Sequence, residues 1–334
     1  MPTDLISRAR LAALLASAKK HRIAVIGDAM LDVYLTGDVD RVSPEAPVPV
    51  VRVRNRRYAL GGAANVAQNV AALGAKCDLV ATVGADESSK LLRNLLKVSG
   101  GSVSGLVPVK RPTTTKTRIV ARAQQVVRVD EELDDDCTPA EIAKLKSAIS
   151  LAVKASDALI LEDYNKGVLV APVIEHAIAA ATKKGIPIVV DPKYRNFFAY
   201  KGATIFKPNR RELEAALGAA VDVEHPQTLP GLVERLGVEA ILLTLSERGM
   251  ALIEKGATAN KGVHRIPTTA RDVYDVVGAG DTVTAYLAAM LASGATALEA
   301  AIIANFAAGV EVGKLGAATV TPDEVLAAYD NYGG

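Results

Sequence analysis

Short runs of apolar, often β-branched residues alternate along this chain with longer stretches in which apolar positions recur every three or four residues. Residues 23–26, 79–83, 158–161, 186–190, 204–206 and 240–245 read as buried strands. Residues 63–73, 91–98, 139–154, 171–184, 209–217, 226–237 and 283–291 carry helical periodicity. Thr138-Pro139-Ala140-Glu141 supports one of these starts, placing a cap, a first-turn proline and a third-position glutamate before an apolar-periodic segment. Leu11, Leu14, Leu15 and Ala18 share one stripe and predict an amphipathic first helix. The alternation predicts an α/β fold, doubly wound, with a mostly parallel sheet and helices on both faces. Two segments, 48–53 and 113–129, are extended without an intervening helix. They predict a small antiparallel β lid, inserted at about residues 34–57 and 110–131 into a single domain spanning 1–334, over the strand ends where ligands of such sheets collect.

Half of the 334 residues are hydrophobic, enough for a large core. Charge is nearly balanced, with 39 Lys and Arg against 37 Asp and Glu, and it is scattered, which argues against a nucleic-acid partner. The short cluster Arg52, Arg54, Arg56 and Arg57 is suited instead to a small anion. Cys77 and Cys137 read as free thiols of a reducing compartment. The four histidines never approach metal-ligand spacing, and no apolar run is long enough for a membrane span. Arg8 and Arg10 before the apolar 11–18 faintly suggest a secretion signal, but that run is short and a strand follows at once, so a cytoplasmic protein is expected.

Candidate chemistry concentrates in Asp275-Val276-Val277-Gly278-Ala279-Gly280-Asp281-Thr282, a glycine turn that delivers a carboxylate to the start of an apolar helix. The unpaired N–H groups of a helix start favour a phosphate oxygen, so Gly278, Ala279 and Gly280 form a candidate anion hole and Asp281 a candidate general base: a kinase. A positive field there is expected to keep Asp281 ionised and only weakly basic. Asp28 and Asp32, just past the first strand, suit sugar hydroxyls, and Gly61-Gly62-Ala63-Ala64-Asn65 opens a helix that a ligand can approach closely. Lys193 and Lys207 follow later strands and suit phosphates. Asn209 and Glu212 share a helix face and suit magnesium through water, although a plain cap pairing fits as well. Thr244, Ser246 and Gly249 form a further strand-end turn that either lines a nucleotide or makes an ordinary hairpin. No P-loop occurs, since 309–314 is one residue short, and a dinucleotide fingerprint fails for want of a third glycine.

With Gly61 to Asn65 near one end, Asp275 to Thr282 near the other and Asn209-x-x-Glu212 between, residues 20–320 resemble the ribokinase-like sugar kinases, also called the B-type phosphofructokinase family. The resemblance implies ATP and Mg2+ as cofactors, Asp281 as base, Asn209 and Glu212 as the magnesium pair, and Asp32, Gly62 and Asn65 as sugar contacts. It also implies nucleotide contacts including Asn305, and a K+ ion near Asp275. Residues 41–50, 113–132 and 312–316 are similar to the D-glycero-β-D-manno-heptose 7-phosphate kinases, which make the 1,7-bisphosphate for the lipopolysaccharide inner core. Without paired histidines of a nucleotidylyltransferase, the chain reads as a stand-alone kinase, with a separate phosphatase and adenylyltransferase downstream and a homodimer formed through the lid. A ribose, ketohexose or hexose phosphate kinase of the same family is the alternative. For the phosphate already on the sugar, Lys116, Arg118 and Arg122 fall at even intervals and would share one strand face, with Asp163 and Lys166 as further contacts.

Overall fold

The computed structural model describes residues 5–332 apart from 123, 223, 224, 226–228, 259 and 260. The first half of the chain runs α1 (Arg8–Ala18), β1 (Arg22–Gly27), β2 (Ala29–Val42), β3 (Pro49–Gly62), α2 (Ala63–Ala72), β4 (Lys76–Val83), α3 (Glu87–Val98), β5 (Ser102–Pro108), β6 (Thr115–Ala121), β7 (Gln124–Glu131) and α4 (Pro139–Ala155). The second half runs β8 (Ala158–Glu162), α5 (Ala171–Lys184), β9 (Ile188–Asp191), β10 (Ile205–Phe206), α6 (Arg210–Leu217), α7 (Pro230–Leu236), β11 (Ala240–Thr244), β12 (Met250–Thr258), β13 (Lys261–Ile266), α8 (Ala279–Ala292), α9 (Ala297–Glu311) and α10 (Pro322–Tyr332). Part of the expected 226–237 helix, residues 226–228, lies outside the described residues.

Nine strands form the main sheet in the order β13-β12-β11-β10-β9-β8-β1-β4-β5. Those from β11 to β5 run parallel, while β12 and β13 extend the sheet in antiparallel pairing, with β13 at the edge. The parallel strands are apolar throughout because both faces are covered. Ile23, Val25, Ala158, Ile160 and Val189 pack into the cluster beneath α1, α2, α8 and α9, whereas Ala24, Ile26, Leu159, Leu161 and Val190 pack into the cluster beneath α4 and α5. The cap signals hold: Thr138 and Glu141 form a reciprocal capping box, and Leu11, Leu14, Leu15 and Ala18 are the buried stripe of α1.

The remaining four strands make a separate sheet in the order β3-β2-β6-β7. It is mixed, not antiparallel as expected, because β2 pairs with β6 in parallel. Between those strands the chain makes a crossover through α2, β4, α3 and β5, and so enters β6 in the same direction as β2. This sheet also reaches deeper than residues 34 and 57. Strand β2 starts at Ala29 and β3 ends at Gly62, so Asp32 lies in a strand and not in a turn after β1.

Candidate active site

Adjacent parallel strands end together, and that register assembles the site. Glu162 and Asp191 are partners at the carboxyl ends of β8 and β9, and Gly27 pairs with Glu162 from β1. Lys207 follows β10, and its buried ammonium donates to Asp191 Oδ2 at 2.8 Å. Above them α8 begins. Its N-cap, Gly278, has φ +98° and ψ −10°, a left-handed conformation that glycine adopts without strain, and no side chain caps the helix. This first turn lines the cavity beside Asp281.

Asp281 is buried, and both its oxygens are held. Asn65 Nδ2 donates to Oδ2 at 2.7 Å, and the Tyr164 hydroxyl donates to Oδ1 at 2.9 Å. Asn69 braces this arrangement by donating to the Asn65 carbonyl at 3.0 Å and accepting from Thr282 Oγ1 at 3.2 Å. Distant ends of the chain thus meet at one carboxylate. The expectation of a positive field is reversed: burial pushes the Asp281 carboxyl up from 3.8 to about 6, with Asp191 adding to the rise and Asn65, Tyr164 and Lys207 opposing it. Such a group is still mostly ionised at pH 7 and is a stronger base than a solvated aspartate.

One oxygen from each of Glu162, Asp191 and Asp281 lies within 4.8 Å of the others. Glu162 is wholly buried, neither of its oxygens meets a hydrogen-bond partner, and burial followed by the two neighbouring carboxylates drives its pKa well above the ordinary value. Orphaned oxygens in an all-carboxylate cluster fit a hard cation such as magnesium. Asn209 and Glu212, by contrast, occupy each other in a reciprocal capping box, and the other Glu212 oxygen accepts from Lys193 Nζ.

A cavity of about 570 Å³ opens over these groups. It brings together the expected Lys193, Lys207, Asn209, Glu212, Thr244, Ser246, Gly249, Asn305 and the turn Gly278 to Asp281, with Tyr164 and Asp191 beside them. Other expected residues stand elsewhere. Asp28 accepts the backbone N–H groups of Tyr164, Lys166 and Val168 at 2.9–3.1 Å, so it holds the 163–168 loop in place. Asp163 accepts from Asn165 N and the buried Tyr200 hydroxyl. Lys116 and Lys166 both donate to Glu132, and Arg118 donates to Asp32. Arg122 does not share the strand face of Lys116 and Arg118, because β6 ends at Ala121 and Arg122 turns the hairpin at φ +49°. Asp275 accepts from Val277 N at 3.0 Å and Gly316 N at 3.1 Å, fixing the loop that leads into Gly278. Glu162 and Asn69 escaped the sequence reading, and Tyr164 entered it only as part of the 163–167 turn, a candidate sugar or phosphate contact. Only the strand-end position of Glu162 could have flagged it; Asn69 depends on tertiary packing.

A doubly wound sheet, a glycine turn feeding an uncapped helix, and a buried carboxylate at that helix start define a small-molecule kinase. The chain belongs to the pfkB family of carbohydrate kinases, whose pattern it matches over residues 20–324. It is 47% identical over 308 residues to the bifunctional protein HldE of Gluconacetobacter diazotrophicus, covering 91% of this chain and 63% of that protein. A second HldE, from Citrifermentans bemidjiense, is 44% identical over 93% of this chain and 63% of its own length. The chain thus spans less than two thirds of these curated relatives. Among solved structures, phosphofructokinase-2 from Escherichia coli in complex with potassium is similar with a TM-score of 0.76 at 18% identity, over 94% of this chain and 99% of that one. Ribokinase from Arabidopsis thaliana with ribose and ATP gives 0.71 at 20% identity, over 92% and 98%.

Proposed function

We propose that the protein transfers the γ-phosphoryl group of ATP to the anomeric hydroxyl, O1, of D-glycero-β-D-manno-heptose 7-phosphate, giving the 1,7-bisphosphate. The observation that carries the reaction type is the placement of Asp281, at the first turn of α8 beside Gly278, Ala279 and Gly280, on the floor of the cavity. The acceptor oxygen would approach this carboxylate from the side of β2 and α2, where Asp32, Gly61, Gly62 and Asn65 lie. The nucleotide would approach from the side of Thr244, Ser246, Gly249 and Asn305. Asp281 orients the hydroxyl and takes its proton late in a loose transition state, while the amides and the ammonium groups of Lys207 and Lys193 stabilise the transferring charge. Magnesium accompanying the nucleotide would be held by Asp191 and Glu162, with Asn209 and Glu212 reaching it through water, and would neutralise charge between the transferred and leaving phosphates. A potassium ion would be held at the Asp275 loop.

The heptose assignment is supported by 41–47% identity to proteins named HldE and by the 41–50, 113–132 and 312–316 segments. In that setting the enzyme works in the cytoplasm, and its product passes to a phosphatase and an adenylyltransferase on the way to the lipopolysaccharide core. The small sheet serves as a lid over the sugar. Its exposed Val53, Val126, Val127 and Val129 favour a homodimer through this sheet. A substrate panel tests the reading: ADP release with 31P NMR of the product should favour heptose 7-phosphate over ribose, ketohexoses and hexose phosphates, with the new phosphate on C1. Preference for another sugar would discard the heptose assignment and leave the kinase reading in place.

A further inference from the structure

The small sheet carries an unusual rung. Register places Arg57 of β3 opposite Tyr34 of β2, Tyr34 opposite Arg118 of β6, and Arg118 opposite Arg128 of β7. Three guanidinium groups and one ring therefore cross four strands on a single face. Arg118 and Arg128 stand directly opposite each other and repel, and with Arg57 they give this face three positive charges, a setting suited to an anion. Arg118 and Arg128 find carboxylates only on the next rung inward, at Asp32 and Asp130. Arg57 has no carboxylate partner among the described residues. Its guanidinium lies 4.3 Å from the centroid of the Tyr34 ring, and that of Arg118 lies 5.3 Å from the same centroid. The ring thus contacts both arginine forks, one from each neighbouring strand.

Position gives the rung its meaning. Met30, Asp32 and Tyr34 alternate along one face of β2, beside Gly61, Ala59 and Arg57 of β3, so this face leads outward from the Gly61–Asn65 turn that touches Asp281. Arg57 also packs against Gly316, where an added Cβ would lie 2.8 Å from its Nη2, and Gly316 N donates to Asp275 ahead of the glycine turn. Two residues of strand separate Asp32 from Tyr34, about 7 Å. That is the order of distance between the ring hydroxyls of a sugar and a phosphate on its far carbon. Paired arginine forks match phosphate oxygens in a way that Lys116 and Lys166, already bound to Glu132, do not.

We propose that Arg57 and Arg118, stacked on Tyr34 and backed by Arg128, receive the phosphate that the acceptor sugar already carries. They thereby select phosphorylated over unphosphorylated sugars. The proposal rests on the sugar-phosphate kinase reading above and assigns that site's specificity. Arg57 is exposed and has no ion pair among the described residues, so its replacement leaves the fold standing, which the Tm of each variant verifies. Steady-state kinetics of the full chain with heptose 7-phosphate should show Arg57→Gln raising the sugar KM about 10- to 100-fold, with kcat within about threefold and the KM for ATP unchanged. Arg57→Lys should recover part of the loss, and Arg57→Gln/Arg128→Gln should lose more. Inorganic phosphate should inhibit the wild type competitively against the sugar, and this inhibition should weaken in Arg57→Gln. An unchanged sugar KM in Arg57→Gln, or an equal loss for ATP, overturns the proposal. If the wild type prefers a different phosphorylated sugar, the heptose assignment fails while the same KM comparison, run on that sugar, decides the rung. A wild type that prefers an unphosphorylated sugar to its phosphate ester overturns the rung outright.

Discussion

Replacing Asp281 by Asn should separate catalysis from stability in opposite directions. Asn keeps the shape and can keep both contacts, with Oδ1 accepting from Asn65 Nδ2 and its amide donating to the Tyr164 oxygen. What it removes is the charge. Burial lifts the carboxyl from 3.8 to about 6, so the folded state binds an extra proton between those values. The stability contributed by the protonated form is complete below pH 3.8 and is lost as pH rises through about 6. At about 1.4 kcal/mol per pKa unit, the ionised carboxylate costs the fold on the order of 3 kcal/mol at pH 7, and the neutral amide recovers up to that amount. Turnover should meanwhile fall about 10²- to 10⁴-fold, roughly 3 to 5.5 kcal/mol of transition-state stabilisation. Thermal unfolding at pH 7 and pH 4, together with single-turnover ADP formation, checks both halves. The variant should unfold several degrees above the wild type at pH 7, with the gap closing at pH 4, while losing nearly all turnover. A destabilised variant with near-native turnover would show that Asp281 is a structural cap and refute the reasoning.

Three further outcomes follow from the same geometry. In the wild type, kcat/KM should fall about tenfold per pH unit below about 6, because the base must be ionised; an acid limb at pH 4 or lower would contradict this. Glu311, buried near the end of α9, has its carboxyl pushed up to about 8 from 4.5, chiefly by burial, with the Ala318 backbone N–H opposing the rise. Its folded form holds an extra proton across that window, so stability should decline as pH rises from 4.5 to 8, and Glu311→Gln should flatten the decline; parallel Tm curves for the two proteins would rule this out. Lys207→Met strands Asp191 without its buried ammonium and should cost about 3–5 kcal/mol, with Lys207→Met/Asp191→Asn recovering part in urea unfolding; an undiminished midpoint in the single variant would speak against a buried pair.

Much of this architecture was legible because it depends on local signals. Apolar runs bounded by turns located the strands, and the Thr138 to Glu141 cap and the Leu11 to Ala18 stripe located helices. Residues at strand ends converged because parallel strands in register end together, which brought Lys193, Lys207, Asn209 and Thr244 around one cavity. The small sheet was harder. Even spacing put Arg122 on a strand face, but a left-handed hairpin turn ends the strand one residue earlier, and the arginines that share the rung of Arg118 are Arg57 and Arg128 on other strands. Asp28 reads as a ligand group from its position after β1, yet three backbone amides of a loop 136 or more residues away occupy it. The basicity of Asp281 was misjudged for a similar reason. Charge sign can be read along a chain, whereas burial and the carboxylates of β8 and β9 emerge only on folding.

The central claim is that the acceptor's reactive oxygen sits between the Asp281 carboxylate and the γ-phosphate. A crystal structure of the ternary complex with heptose 7-phosphate and a non-hydrolysable ATP analogue tests it most directly. The sugar O1 should lie about 2.6–3.2 Å from an Asp281 oxygen and in line with the γ-phosphorus. A sugar bound with O1 remote from Asp281, and that carboxylate still closed off by Asn65 and Tyr164, would contradict the account.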